Sequence, residues 1–578
     1  MALPTAFPSD WHPCKGCICM NHAIPSYQFS VTDADCPLVD HPDLGKLVHS
    51  NDAPNPSEEK TLRRMVSDSR KRIDAFDSQI LELKALREDL VQSIARVDEN
   101  LAALDKEWRR LSDSVPERRL LLSALRRMPK EVLAHIFLHI LVFPFPRVEP
   151  EYYVSDWSTF SSRRHPLLSF ELVCRNWKDV LDTFPNLWSY VNILIDRIAS
   201  NTYTRYIGNQ LSRSRQCPLS ISICHSENTS VTRLDTFPVA ISMALSSVSH
   251  RVQALHLCLP GRYLVSMQQL HLSFPNLQEL VLLSSSETSE VAQHLHFGSL
   301  PHLRVFRATD VSNIDRLSLP WHQITHFTNV HIRAGHGPSA VRALNVLKRM
   351  PRVSVCDLSL DLRLQALEVA EGMTLSQLHS LKLTSVYRQF GLPPVISFVL
   401  DSFILPALLD LSVTCFVGST LRDQSYTFTS IRYLILRSHS PLTSLYFDNG
   451  EIKEDDLIHI LSSTPTLQDI RLMNLNGVIT DEVLNDLARR VDTESDSQVP
   501  ALVPHLHTLH LSGYFSFQVK LYVQMVEFRW MCRPRHLKSV NFCRFLNLWD
   551  VSTNGEELRR LDVLRSEGLD IVMSAQII

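Results

Sequence analysis

Between Ile73 and Val115 apolar side chains recur at alternating steps of three and four: Ile73, Phe76, Ile80, Leu83, Arg87, Leu90, Ile94, Val97, Leu101, Leu104, Trp108, Leu111 and Val115. Twelve of these thirteen positions are apolar, against about six expected for a chain that is 44% hydrophobic, so the period belongs to a heptad helix. No Pro or Gly falls between Ser57 and Ser114, and the stripe predicts a rod over residues 59–115, its core roughly 60 Å long at ~1.5 Å per residue. Arg72 and Asp77 would attract across a parallel dimer, while Leu86 and Val91 widen the apolar face. The stripe fits either self-association through 73–115 or a long helix folded back on its own chain. Pro116 is expected to end the rod.

From about residue 192 the period changes to two. A short strand of the form Leu-x-x-Leu-x-Leu follows x-Pro-x-Leu again and again: FPNLQELVL (274–282), LPHLRVFRA (300–308), LPALLDLSV (405–413), TPTLQDIRL (464–472) and VPHLHTLHL (503–511). Looser copies are MPRVSVCDLSL (350–360), LSQLHSLKL (375–383), FTSIRYLIL (428–436) and RPRHLKSVNF (533–542), with CPLSISI (217–223) and RVQALHL (251–257) as earlier strands. Helical patterns precede several copies, among them AVRALNVLKR, EDDLIHILSS and LYVQMVEFRWM, and one interval of 50 residues separates the copies starting at 300 and 350. Period-2 leucines give each strand one buried face. One unit cannot bury that face alone, so units must stack. The array, residues 192–578, resembles leucine-rich repeats, which implies an α/β solenoid with strands on one face and helices on the other. LQDIRLMNLNGVITDEVLNDLA (467–488) is the closest copy, with Asn474 near the family's asparagine position and a Thr480-Asp481 helix start; the tail, with Gly568 at a helix C-terminus, reads as a cap. A doubly wound α/β enzyme is the competing fold, and no Gly-rich turn after a strand supports it.

Between the two patterns lie two short helical segments. SALRRMPKEVLAHIFLHIL (123–141) has Pro129 in a first-turn position and Val132, Leu133, Ile136, Phe137, Ile140 and Leu141 at helical spacing. A polar and aromatic insertion (142–165) follows, then PLLSFELVCRNWKDVL, a Phe184-Pro185 turn and Trp188. The pair MPKEVLAHIF and LVCRNWKDVL…FPNLW resembles the F-box, a short helical adaptor motif, with Met128 where leucine usually precedes the proline. With the heptad helix before it and the repeats after it, the order is similar to the large F-box class of mushroom-type fungi. The resemblance covers about 60 residues, within a unit placed at 123–191, and implies a three-helix unit whose apolar face docks on a Skp-family adaptor and through it a cullin. Carried over by position, the adaptor-binding residues are Pro129, Val132, Leu133, Ile136 and Phe137, then Leu168, Val173, Cys174 and Trp177. Read without the resemblance, the same residues form only the unit's own core, and Trp188 bridges to the array.

Composition narrows the function classes. With 58 basic and 61 acidic residues the net charge is −3, unlike a dedicated nucleic-acid binder. Only 15 glycines are present, so phosphate loops have little material. No signal-like start and no run of about 18 apolar residues occurs. Cys224, Cys258, Cys356 and Cys415 lie in apolar segments and read as reduced, buried thiols of a cytosolic or nuclear protein. Residues 1–58 read as a disordered tail; its Cys14, Cys17, Cys19 and His22 lack the second ligand pair a structural zinc site needs. His505, His507 and His510 could share a metal but have no carboxylate nearby. No nucleotide, hydrolase or zinc-protease motif is found, and no residue is assigned a catalytic role or a cofactor. The expectation is a substrate-recognition subunit of an SCF-type cullin ubiquitin ligase, with the array holding an unknown protein substrate. A coiled-coil/leucine-rich-repeat scaffold without ligase recruitment is the alternative, and an enzyme hidden in the α/β array the third reading.

Overall fold

The structure is a computed structural model. It describes residues 37–41, 44–122, 124–141, 166–195, 201–225, 245–260, 273–284, 297–311, 313–331, 340–360, 372–385, 395–415, 421–476, 479–490, 499–515, 517–544 and 551–575. The chain divides into two units, Met1–Arg127 and Met128–Ile578.

The first unit is dominated by one helix, Pro56–Leu121, of 66 residues. Asn55 caps it, its side-chain oxygen accepting from the Ser57 and Glu58 amides at 3.0 and 2.9 Å, while the Glu58 carboxylate accepts from the Asn55 amide at 2.8 Å. The helix runs through Pro116, contrary to the expected break. Proline removes one hydrogen bond and crowds the carbonyl four residues back, and here that disturbance falls in the last two turns, with a long helix already formed before it. Ile73, Ile80, Leu83, Leu90, Ile94, Val97, Leu101, Leu104, Trp108, Leu111 and Val115 are all exposed. Ahead of the helix lie a 3₁₀ turn, Leu38–Asp40, and a helical turn, Gly45–Val48, with Leu44 fully buried. Part of the segment expected to be disordered therefore has local structure. Cys14, Cys17, Cys19 and His22 lie outside the described residues.

The second unit is an α/β fold. Its strands are β1 Tyr190–Leu194, β2 Leu219–Cys224, β3 Val252–Leu259, β4 Glu279–Ser284, β5 Val305–Thr309, β6 His326–Val330, β7 Val355–Leu360, β8 Met373–Thr374, β9 Ser380–Ser385, β10 Phe403–Ile404, β11 Asp410–Thr414, β12 Ser444–Asp448, β13 Asp469–Asn476, β14 Thr508–Tyr514, β15 Ser539–Arg544 and β16 Asp570–Ala575. Fourteen of them form one parallel sheet in chain order, with β8 and β10 set apart as a small parallel pair. The order never reverses, so the sheet has no switch point of the kind at which doubly wound folds bind nucleotides.

Alternate residues carry the core. Leu280 and Leu282, Leu381 and Leu383, Leu445 and Phe447, and Leu509 and Leu511 are buried pairs on β4, β9, β12 and β14, all within one continuous cluster. Helices Val395–Asp401, Leu421–Ser438, Glu454–Ser463, Asp481–Leu487, Val519–Met531 and Val551–Ser566 pack in succession, each against the next. The Thr480 hydroxyl caps the fourth of these by accepting from the Glu482 amide at 3.2 Å.

Three strands of the large sheet escape the sequence cadence: β1, β12, and β6, which fills the 50-residue interval with Phe327 buried; the short pair β8 and β10 escapes it too. FTSIRYLIL is not a strand. It lies in the helix Leu421–Ser438, where Phe428, Ile431, Leu434 and Ile435 form a buried face at helical spacing. The strand of that unit is β12, built from SLYFD. No helix of the described residues is long and apolar enough to cross a membrane.

Candidate functional site

The segment carrying the two-helix motif contains helices Lys130–Leu141, Pro166–Glu171 and Arg175–Thr183 and a 3₁₀ turn Pro185–Trp188. The expected single helix over PLLSFELVCRNWKDVL is two helices, divided at Leu172–Cys174. Cys174 is extended there and precedes the second of them. Residues 142–165 lie outside the described residues.

The helix Lys130–Leu141 has two apolar sides. Leu133, Ala134, Phe137 and Leu141 face inward with Leu167, Val180, Leu181, Leu187 and Trp188. Phe137 is 1% exposed, its ring centroid 4.7 Å from Phe170 and 4.8 Å from Trp177, and those two rings meet edge-on at 5.4 Å. Val132, Ile136 and Ile140 repeat every four residues on the outward side, and Val132 is 47% and Ile136 38% exposed. In the turn after the second helix, Leu172 is 87% exposed, with Val173 and Cys174 also open to solvent.

The nine carried-over residues therefore divide. Pro129, Val132, Ile136, Val173 and Cys174 are exposed, and Leu168 and Trp177 are half-buried. Leu133 and Phe137 are core residues and cannot meet a partner unless the unit opens; for these two the packing role is the one observed. Sequence reasoning missed Ile140 and Leu172 as surface residues. A 3.6-residue period marks both sides of a broad apolar helix alike, so it could not separate Ile140 from the inward row, and Leu172 lies in a turn where one continuous helix was expected.

Trp188 is the bridge its position suggested. Its indole nitrogen donates to the Leu181 carbonyl at 2.8 Å, and the Arg213 guanidinium lies 4.4 Å from its ring. Arg213, from the helix Asn201–Arg213, also pairs with Glu171. One arginine thus ties the short helices to the start of the sheet unit.

The sheet face opposite the leucine rows is polar. One line across it runs Arg307, Thr328, Asp357, Lys382, Ser412, Tyr446, Arg471, His510 and Asn541. Arg307 pairs with Glu279 at 3.6 Å and Lys382 with Asp357 at 3.8 Å. Burial raises the Asp357 carboxyl to about 6 despite the opposing pull of Lys382. His256 is pushed down to about 4 by burial and then by Arg307, and His510 is lowered by burial and Arg471. On the same face Asn474, in left-handed backbone at φ 50°, donates to Asp448 at 2.7 Å.

His505 and His507 do not converge with His510. They sit beside His536, with ring centroids 5.0 and 6.0 Å from it. Among the described residues no three His, Cys, Asp or Glu side chains are placed to hold a metal. Cys224, Cys258, Cys356 and Cys415 are buried and form no disulfide, and burial pushes the Cys415 thiol up to about 12, which keeps it protonated and unreactive.

No protein-family model matches the sequence, and no curated protein matches it.

Proposed function

We propose that this chain is the substrate-recognition subunit of an SCF-type cullin ubiquitin ligase. Its F-box-like helices would dock on a Skp-family adaptor, and its leucine-rich-repeat-like solenoid would hold a target protein. The chemistry would belong to the partners: the array raises the target's effective concentration beside a ubiquitin-charged enzyme. The observation that carries this reading is the outward row Val132, Ile136 and Ile140 on a helix whose inward row is already satisfied by Phe170, Trp177 and Trp188. A small helical unit gains no stability from a second apolar side left in water, and such a side is what a docking partner covers. The solenoid reading is supported by strands that add in chain order and by alternate leucines buried on one face only.

The test is binding of the full chain to a purified Skp-family adaptor. Ile136→Asp places a charge on the outward row and should weaken binding by at least about 100-fold, because a buried unpaired charge costs several kcal/mol. Circular dichroism should be unchanged, since Ile136 is outside the core. Failure of the folded wild-type chain to bind would overturn the proposal. A second reading, a scaffold without ligase recruitment, is favoured by the exposed stripe of the long helix, and it would then lead.

A further inference from the structure

The long helix presents its apolar stripe to water over more than five heptads. We propose that a second copy of this chain covers it, and that the two helices run antiparallel about a dyad near residue 92. The inference is independent of the ligase reading.

Area favours a second helix as the occupant. Twelve apolar side chains per copy, each roughly half exposed, would bury on the order of 2,000 Å² in total, the scale of a stable interface. The direction is decided at Arg87, the one charged residue of the stripe. In a parallel, in-register pair Arg87 would face Arg87 of the second copy across the seam. The flanking positions there are Leu86 and Val91, so no acid is at hand for two buried guanidinium groups.

Reversing one helix removes that conflict without losing a layer. Residue pairs that sum to 184 then face each other: Leu90 meets Ile94, Phe76 meets Trp108, and Arg87 meets Val97 with Asp98 beside it. Flanking charges also agree. Lys84 comes beside Asp98 and Asp105 of the second copy and Arg72 beside Glu107, against one repulsive approach of Asp77 to Asp105. The matched layers span 73–111 and stop short of Pro116. The Leu121 ends would lie roughly 90 Å apart along the rod at ~1.5 Å per residue, where a parallel pair would set them side by side.

The experiment uses the full chain carrying both Ile73→Cys and Leu111→Cys, a short bismaleimide, and mass spectrometry of the linked peptides. Within one helix these positions are roughly 57 Å apart, so a 73–111 link must join two copies. The expected result is a dimer in sedimentation with 73–111 links exceeding 73–73 and 111–111 links by at least about tenfold, a preference equivalent to about 1.4 kcal/mol. Dominant 73–73 and 111–111 links would overturn the antiparallel assignment, and a monomer at micromolar concentration would overturn the dimer. Adding Arg87→Leu should raise the share of 73–73 links; an unchanged share would remove Arg87 as the device that sets direction.

Discussion

Phe137 and Ile136 are neighbours in sequence with opposite environments, and that contrast gives the sharpest test of how the short-helix segment is built. Phe137 is 1% exposed and contacts the Phe170 and Trp177 rings. Replacing a buried Phe by Ala costs about 3–5 kcal/mol from lost transfer energy and the cavity left behind. Two aromatic contacts add about 0.5–1.5 kcal/mol each beyond area. The local core has few other large side chains, chiefly Leu133, Leu141, Leu167, Leu181, Leu187 and Trp188. A loss of about 4 kcal/mol is therefore comparable to the whole local stability of so small a unit. Ile136 is 38% exposed, and its truncation should cost under about 1 kcal/mol. Peptide-resolved hydrogen exchange reads both. Phe137→Ala should speed exchange across 130–141 and 175–183 by about a hundredfold or more, at about tenfold per 1.4 kcal/mol, with β11–β16 unchanged. Ile136→Ala should stay within about fivefold of wild type everywhere by the same conversion. Equal protection in the two variants would refute the assignment of Phe137 to the core and return it to the docking surface.

Two further outcomes concern the sheet unit. Asp357 has a folded-state pKa raised from 3.8 to about 6 by burial. The folded state thus binds the proton more tightly, and stability falls as pH rises from about 4 to about 6. Asp357→Asn should remove that slope and gain on the order of 3 kcal/mol at pH 7.5 but nothing near pH 3.5, read as urea midpoints at the two pH values; a wild-type slope in the variant would locate the effect elsewhere. Arg529 is a buried guanidinium whose nitrogens donate to the Leu487, Leu502 and Val503 carbonyls at 3.0, 2.9 and 3.1 Å, and burial lowers its pKa to about 10. Arg529→Met relieves a buried charge but orphans the Leu487 and Leu502 carbonyls at about 1–3 kcal/mol each, while Val503 keeps the Leu506 amide at 3.2 Å, so a net loss of about 1–3 kcal/mol is expected, seen as faster exchange in 481–487 and 519–531. Unchanged protection there would show that the three bonds are not holding these helices.

The heptad helix and most strands were legible in the residue pattern, because a period is a local property and the leucines at step two, like those at three and four, state which side of each element is apolar. That reading stopped where two periods coexist. FTSIRYLIL offers Ile431, Tyr433 and Ile435 at step two and Phe428, Ile431 and Ile435 at helical spacing. Only the neighbouring helices Val395–Asp401 and Glu454–Ser463, which pack on it, decide for the helix. β6 escaped because its core row sets a polar Asn329 beside Phe327, and Pro320 ahead of it is followed by Trp321-His322 rather than x-Leu. Pro116 was read as a terminator because a local rule cannot weigh the 60 helical residues already formed before it. In the short helices, residue type alone made Val132, Leu133, Ile136 and Phe137 equivalent. Side-chain direction on a helix is fixed by its rotation against its neighbours, and that rotation is set by Phe170, Trp177 and Trp188, up to 52 residues further along the chain than Ile136. The sequence determined which elements form and which carry an apolar side; the packing of distant segments decided which of those sides is core and which is left open.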